Sequence, residues 1–184
     1  MRKGGPLITL RVMALVISLA AGGAPGSSRA QELAGQADVI DGDTLEIHGT
    51  RIRLWGIDAP EHDQLCRGND SEPYGCGAAA ANKLDAFIAH RPVYCAPKDV
   101  DRYGRTVASC RSGAADIGEW LVSQGLALDW SRYSKGRYSA AQREAENAAR
   151  GIWAGSYVAP WEYRTCVRSR GRPADCSDDP TAHP

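Results

Sequence analysis

Val39-Ile40-Asp41-Gly42-Asp43-Thr44-Leu45-Glu46-Ile47-His48-Gly49-Thr50-Arg51-Ile52-Arg53-Leu54-Trp55-Gly56-Ile57 decides the fold class. Residues 39–40, 44–47 and 51–57 alternate or run apolar and read as strands. His48-Gly49, between the second and third, reads as a hairpin turn. Downstream, residues 63–73 form a polar, Gly- and Pro-containing loop, and residues 78–89 carry Ala and Leu at helical spacing. Two more strands fall at residues 92–95 and 106–110, joined by a polar loop with Tyr103-Gly104. Asp116-x-x-Glu119 opens a helix as a capping box and Gly125 closes it. Ser139 caps another helix ending at Arg150-Gly151, and the chain from Thr165 reads as loop. Strands, helix, strands, helices is α+β order rather than βαβ alternation. The pattern predicts a five-stranded OB-fold barrel with three helices.

The chain has 184 residues, with 22 Lys and Arg against 22 Asp and Glu. Residues 1–30 hold Arg2, Lys3, Arg11 and Arg29 and no acid. Without them the balance is 18 against 22, or −4, which excludes a globally basic nucleic-acid wrapper. With 43% hydrophobic and 24% charged residues, overall disorder, a collagen-like chain and a polytopic membrane protein are also excluded. The apolar run 12–21 follows three basic residues and precedes Ser28-Arg29-Ala30, the layout of an export signal cleaved after Ala30. A periplasmic or secreted domain at residues 31–163 is then expected, with a polar tail at 164–184 and no membrane attachment after cleavage.

Six cysteines allow 15 pairings. No Cys-x-x-Cys pair is present, so zinc is not expected. Cys66–Cys76 and Cys166–Cys176 would each close a short loop, the latter tethering the tail. Cys95 and Cys110 end two strands that would sit within bridging distance as antiparallel neighbours.

Three segments carry chemistry: residues 41–44, 53–61 and 101–105. Asp-Gly-Asp alone is a turn signal. With a second acidic segment beyond the hairpin, Asp43 and Asp58 would meet at one end of a barrel. Their hard oxygens suit calcium or magnesium, unless Asp58 only caps a turn before Pro60. Arg53 and Arg105 either form internal salt bridges to Asp43, Asp58 or Glu61, or grip a bound anion. Two arginines, a metal and Glu61 as proton acceptor make a coherent phosphodiester-cleaving set.

These segments in this order, with Leu121-Val122-Ser123-Gln124-Gly125-Leu126-Ala127, resemble the staphylococcal nuclease (thermonuclease) family over residues 38–155. The resemblance implies an OB fold and calcium-dependent hydrolysis of DNA and RNA, leaving 3′-phosphate ends. It implies Ca2+ bound by Asp43, Asp58 and the Ala59 carbonyl, with Asp41 acting through water. It further implies Arg53 and Arg105 on the scissile phosphate and Glu61 as base or water-positioning group. Arg102, Tyr103 and Tyr133 would contact substrate, in single-stranded or flexible regions, and the protein would act as a monomer.

The chain departs from the family pattern in four ways. The turn between Ile47 and Arg53 is short. Arg102 replaces a common Lys. Ser131 stands where the type member has a second Tyr, for which Trp130 could substitute. The six cysteines and Pro160-Trp161-Glu162-Tyr163-Arg164 lie outside the pattern and suggest an exported bacterial branch. Arg164, Arg168, Arg170 and Arg172 read as a solvated basic tail. The four His lack metal-ligand spacing. Trp120, Trp130, Trp153 and Trp161 read as packing residues, and Trp55 could face either way. The competing functions are a non-catalytic OB module binding nucleic acid or another anionic polymer, and a role in exported polysaccharide metabolism.

Overall fold

A computed structural model describes residues 1, 4–5, 32–170 and 172–177. The export signal and its cleavage point after Ala30 lie outside the described residues.

The strands and helices follow in chain order: β1 (Leu33–Gly35), β2 (Asp38–Asp41), β3 (Thr44–Ile47), β4 (Thr50–Leu54), β5 (Ile57–Asp58), β6 (Leu65–Arg67) and β7 (Pro73–Gly75). Next come α1 (Cys76–Ile88), β8 (Val93–Val100), β9 (Thr106–Ser112), β10 (Ala115–Asp116), α2 (Ile117–Ser123), β11 (Leu128–Asp129), α3 (Ser131–Ser134) and α4 (Ser139–Asn147). A 3₁₀ turn at Gly151–Ala154, α5 (Pro160–Arg170) and α6 (Pro173–Ser177) follow.

The main sheet runs β1-β8-β9-β4-β3-β2, with β10 added on β9. Its pairs are antiparallel except β4 with β9, where Ile52 lies opposite Thr106. This mixed sheet with helices fits an OB fold of the expected α+β class. Among the described residues this sheet has seven strands, β1 and β10 lying beyond the five expected. Two short accessory pairs, β5 with β11 and β6 with β7, stand apart.

The hairpin turn falls where the alternation places it. Ile47 pairs with Thr50, and His48 and Gly49 take φ of 51° and 76°. Two consecutive positive φ values are what a two-residue turn matching strand twist requires. Leu45, Ile47, Ile52, Leu54 and Ile57 then point into the core beneath Ala80, Leu84 and Ile88 of α1 and Leu121 and Val122 of α2. On β4 the alternation buries Ile52 and Leu54 and turns Arg53 to the other face.

Asp116 caps α2, its side chain accepting from the Glu119 N–H at 3.0 Å. Ser139 is the first residue of α4 and offers no side-chain cap. The polar stretch after Asp63 pairs briefly as β6–β7, pinned by Cys66–Cys76. Cys95 and Cys110 face each other across β8–β9 with Cα atoms 4.1 Å apart.

Residues 165–170 and 173–177, read from the sequence as loop, are helical. Pro160 opens α5, where its missing N–H costs nothing. Tyr163, Cys166 and Val167 share one face, which packs with Val158 and Cys176. The Cys166–Cys176 bridge ties α5 to α6, and the Leu65 N–H donates to Ser177 Oγ at 3.0 Å, holding α6 against β6. Among the described residues no helix is long and apolar enough to cross a membrane.

Candidate active site

The turn from β2 into β3 and the turn from β4 into β5 deliver their acids to one place. Asp43 is 4% exposed and Asp58 0%. Burying two carboxylates is unfavourable unless they are paired and hydrogen-bonded. Arg53 supplies the pairing. Its Nη2 lies 2.8 Å from Asp43 Oδ2 and 2.6 Å from Asp58 Oδ1, and Nη1 donates to Asp43 Oδ1 at 3.2 Å. Asp43 also accepts from Thr44 Oγ1 at 3.0 Å and from the Ala59 N–H at 3.2 Å. The internal salt bridge foreseen for Arg53 is therefore made.

Glu61 follows two residues after Ala59. Its N–H donates to Gln64 Oε1 at 3.2 Å, and the buried Gln64 donates on to the Val158 carbonyl at 2.6 Å. Gly77, in the first turn of α1, lets this loop come close: a Cβ there would overlap the Glu61 carbonyl oxygen.

Arg164, which the sequence reading left in a solvated tail, is also in the cluster. It reaches in from α5, donating from Nη1 to Asp58 Oδ1 at 2.9 Å and to Glu61 Oε1 at 2.6 Å, and from Nη2 to Asp58 Oδ2 at 2.7 Å. Two signals in the sequence point to the helix that carries it: Pro160 at a helix start, and the i, i+3, i+4 spacing of Tyr163, Cys166 and Val167.

Electrostatics follow from this packing. Burial pushes Asp58 upward, while Arg164 and Arg53 pull it back. Burial would lower Arg53 and Arg164, but their carboxylate partners more than offset it, so both guanidiniums stay charged. Asp41 accepts from the Gly42 N–H at 2.8 Å, with His62 a lesser positive influence. Burial, then Asp43, then Glu61 raise its pKa to about 6.

The outer segment is built differently. Asp101 organises its own turn, accepting from the Tyr103 and Arg105 N–H groups at 2.9 and 3.0 Å and from Arg105 Nε at 2.7 Å. Arg105 thus stands beside Asp101 at the start of β9, whose Thr106 pairs with Ile52 next to Arg53. Tyr103 is 68% exposed, with Arg102 bonded to its hydroxyl.

Tyr133, on α3, is exposed and lies edge-on to Trp130 with centroids 4.5 Å apart. Trp130 is not a simple packing residue: the Arg53 and Arg164 guanidiniums lie 5.8 and 5.7 Å from its ring centre, and Trp161 stacks on it at 6.5 Å. Trp120 packs on Phe87 and Trp153 on Tyr157 as expected, and Trp55 meets Tyr138. His62 is exposed.

Among the described residues no three His, Cys, Asp or Glu side chains are gathered as a ready metal-ligand set. The donor chemistry nonetheless suits a hard divalent cation. Asp41, Asp43, Asp58 and Glu61 carry four negative charges against two on Arg53 and Arg164, leaving a balance of −2.

The cluster thus holds a buried carboxylate pair with arginines beside it and a glutamate at its edge. Residues 51–155 match the family model described as staphylococcal nuclease homologue. A succinoglycan biosynthesis protein, ExoI, of Rhizobium meliloti (strain 1021) is 44% identical over 126 residues, covering 67% of this chain and 66% of that protein. Protein ParB of Escherichia coli is 31% identical over 145 residues, covering 68% of this chain and 75% of its own. A micrococcal nuclease of Shigella flexneri is 27% identical over 148 residues, covering 71% and 79%. On the match of more than half its length and the residues that carry it, this chain belongs to the staphylococcal nuclease family.

Proposed function

We propose that the protein is an exported, calcium-dependent nuclease that hydrolyses phosphodiester bonds of DNA and RNA and leaves 3′-phosphate ends. The coarser part, a nuclease acting on nucleic acid, has the support of the family and of the nucleases among its relatives. One observation carries the finer reading: Asp43 in the turn before β3, Arg53 on β4, Asp58 on β5 and Glu61 in the loop after it converge on one charged cluster.

Asp43, Asp58 and the Ala59 carbonyl would hold calcium, with Asp41 acting through water. Calcium, when bound, supplies positive charge beside the attacked phosphate. Arg53 and Arg105 would bind the phosphate oxygens, where developing charge is stabilised most. Glu61, held by Gln64 through its backbone, would take the proton of an attacking water or orient that water. Arg102, Tyr103 and Tyr133, all near the surface, would meet flanking nucleotides, and single-stranded or flexible regions would fit best. Trp130 and Trp161 extend that aromatic surface. Export is consistent with the three disulfides, and the protein would act as a monomer.

The Rhizobium relative is named for succinoglycan biosynthesis, which bears on the alternative role in exported polysaccharide metabolism. Two arginines within the acid cluster suit phosphate better than sugar.

The test follows cleavage of single-stranded DNA and RNA by disulfide-intact protein with calcium, with magnesium and with chelator. Calcium-dependent cleavage that falls by roughly 10²–10⁴-fold in Glu61→Ser is expected. Folded protein that cleaves nothing with calcium would leave the non-catalytic binding module as the better reading, and action on polysaccharide without calcium would favour the other.

A further inference from the structure

The Asp58 carboxylate, placed above as a calcium ligand, is already largely engaged. An ionised carboxylate offers about four lone-pair positions. Asp58 Oδ1 accepts from Arg53 at 2.6 Å and from Arg164 at 2.9 Å, and Oδ2 accepts from Arg164 at 2.7 Å. Arg164 alone therefore occupies both oxygens, and it also holds Glu61 Oε1 at 2.6 Å. Calcium takes six to eight oxygens at about 2.3–2.6 Å and needs carboxylates turned toward it. Two cations cannot use the same Asp58 oxygens fully.

We propose that Arg164 sets the divalent-cation affinity of this site by competing with the cation for Asp58 and Glu61. The inference rests on the calcium reading of the site. The charge balance gives its direction. With Arg164 in place, four carboxylates face two guanidiniums and the balance is −2. With Arg164 gone, or swung aside, it is −3, and the pull on a divalent cation rises.

Arg164 is a positioning residue delivered by an element outside the matched family segment, which ends at residue 155. That element is held firmly. Tyr163 beside it is 4% exposed, Cys166 two residues on is bridged to Cys176, and Ser177 is bonded to Leu65. The helix stays docked, so the competition is settled by a swing of the Arg164 side chain, which is 24% exposed and has solvent to move into.

The experiment is calorimetric titration of the full, disulfide-intact chain with calcium chloride alone, without substrate. The parent is compared with Arg164→Gln and Arg164→Lys, and circular dichroism confirms that each is folded. Arg164→Gln is expected to bind calcium at least about tenfold tighter than the parent, with Arg164→Lys in between because it keeps the charge but loses the two-pronged grip. In thermal unfolding, Arg164→Gln is expected to melt lower than the parent in chelator and to gain more from added calcium.

A purely structural ion pair would lower the melting point without tightening calcium. Calcium binding that is unchanged, weaker or absent in both variants overturns the proposal. If either variant fails to fold, the other decides. Calorimetry and cleavage separate the two readings: a parent that binds calcium and cleaves, with variants that bind no tighter, breaks only this inference. A parent that binds calcium but cleaves nothing breaks the nuclease reading and leaves the competition to be decided by the titration.

Discussion

The inner cluster of Asp43, Arg53, Asp58, Glu61 and Arg164 and the outer turn from Asp101 to Arg105 both join acids to arginines, yet they are built on different physics. In the inner cluster the Asp43 and Asp58 side chains are 5% and 0% exposed, and every carboxylate there has a guanidinium within 2.8 Å. In the outer turn the Arg105 and Asp101 side chains are 26% and 18% exposed. Burial pushes the Asp101 carboxyl up, but Arg105 and two backbone N–H groups together outweigh it and hold the group below the usual carboxylate range. Deep burial makes pairing obligatory for folding, whereas partial exposure lets water replace a lost partner. The inner charges should therefore be coupled to stability and the outer ones to activity alone.

Arg53→Ala should break this contrast most sharply. It leaves Asp43 without its guanidinium and Asp58 with only Arg164. The expected cost is roughly 3–5 kcal/mol, a fall of about 10 °C in the melting point, read by thermal unfolding in chelator. An unchanged melting point would mean that the inner cluster is no more coupled to folding than the outer turn.

Asp41 sharpens the comparison through pH. Burial, with Asp43 beside it, raises its folded pKa to about 6 from the ordinary 3.8. Between these values the folded chain binds more protons than the unfolded one, so this group's contribution to stability falls as pH rises from about 4 to about 6. Asp41→Asn in chelator is expected to flatten that part of the pH profile. At pH 7 it should stabilise by roughly 1 kcal/mol, about 2–4 °C, after allowance for partial exposure. A parallel profile for parent and variant would place the negative potential elsewhere.

Arg105→Ala should show the smallest effect on stability, within about 1 kcal/mol. Cleavage should still fall by about 10²–10³-fold, the cost of removing one donor from a developing anion. A large loss of stability would put Arg105 with the inner group.

Much of this was legible because it is local. The His48-Gly49 turn follows from strand alternation on either side of it, and the Asp116 cap from a four-residue pattern. The Cys66–Cys76 and Cys166–Cys176 bridges close short loops, and the Cys95–Cys110 bridge follows from two neighbouring strands. The acids and Arg53 lie on either side of one hairpin, so their meeting needs only that hairpin and the turn into β5. The short β1 and β10 strands are held by their partners rather than by any marked pattern of their own, which is why the strand number was read as five.

By itself, then, the sequence pointed to the α+β order, the hairpin turn, the three disulfide pairs and the grouping of Asp43, Arg53, Asp58 and Glu61. These depend on steric rules and on alternation over a few residues. Only the tertiary structure decided that Arg164 belongs with them. It meets Asp58 across 106 residues of chain, and its own neighbourhood of Arg168, Arg170 and Arg172 reads as solvated. The burial of Tyr163 and Cys166 on one face of α5 turns Arg164 inward, and a buried carboxylate without full pairing is the partner that holds it there.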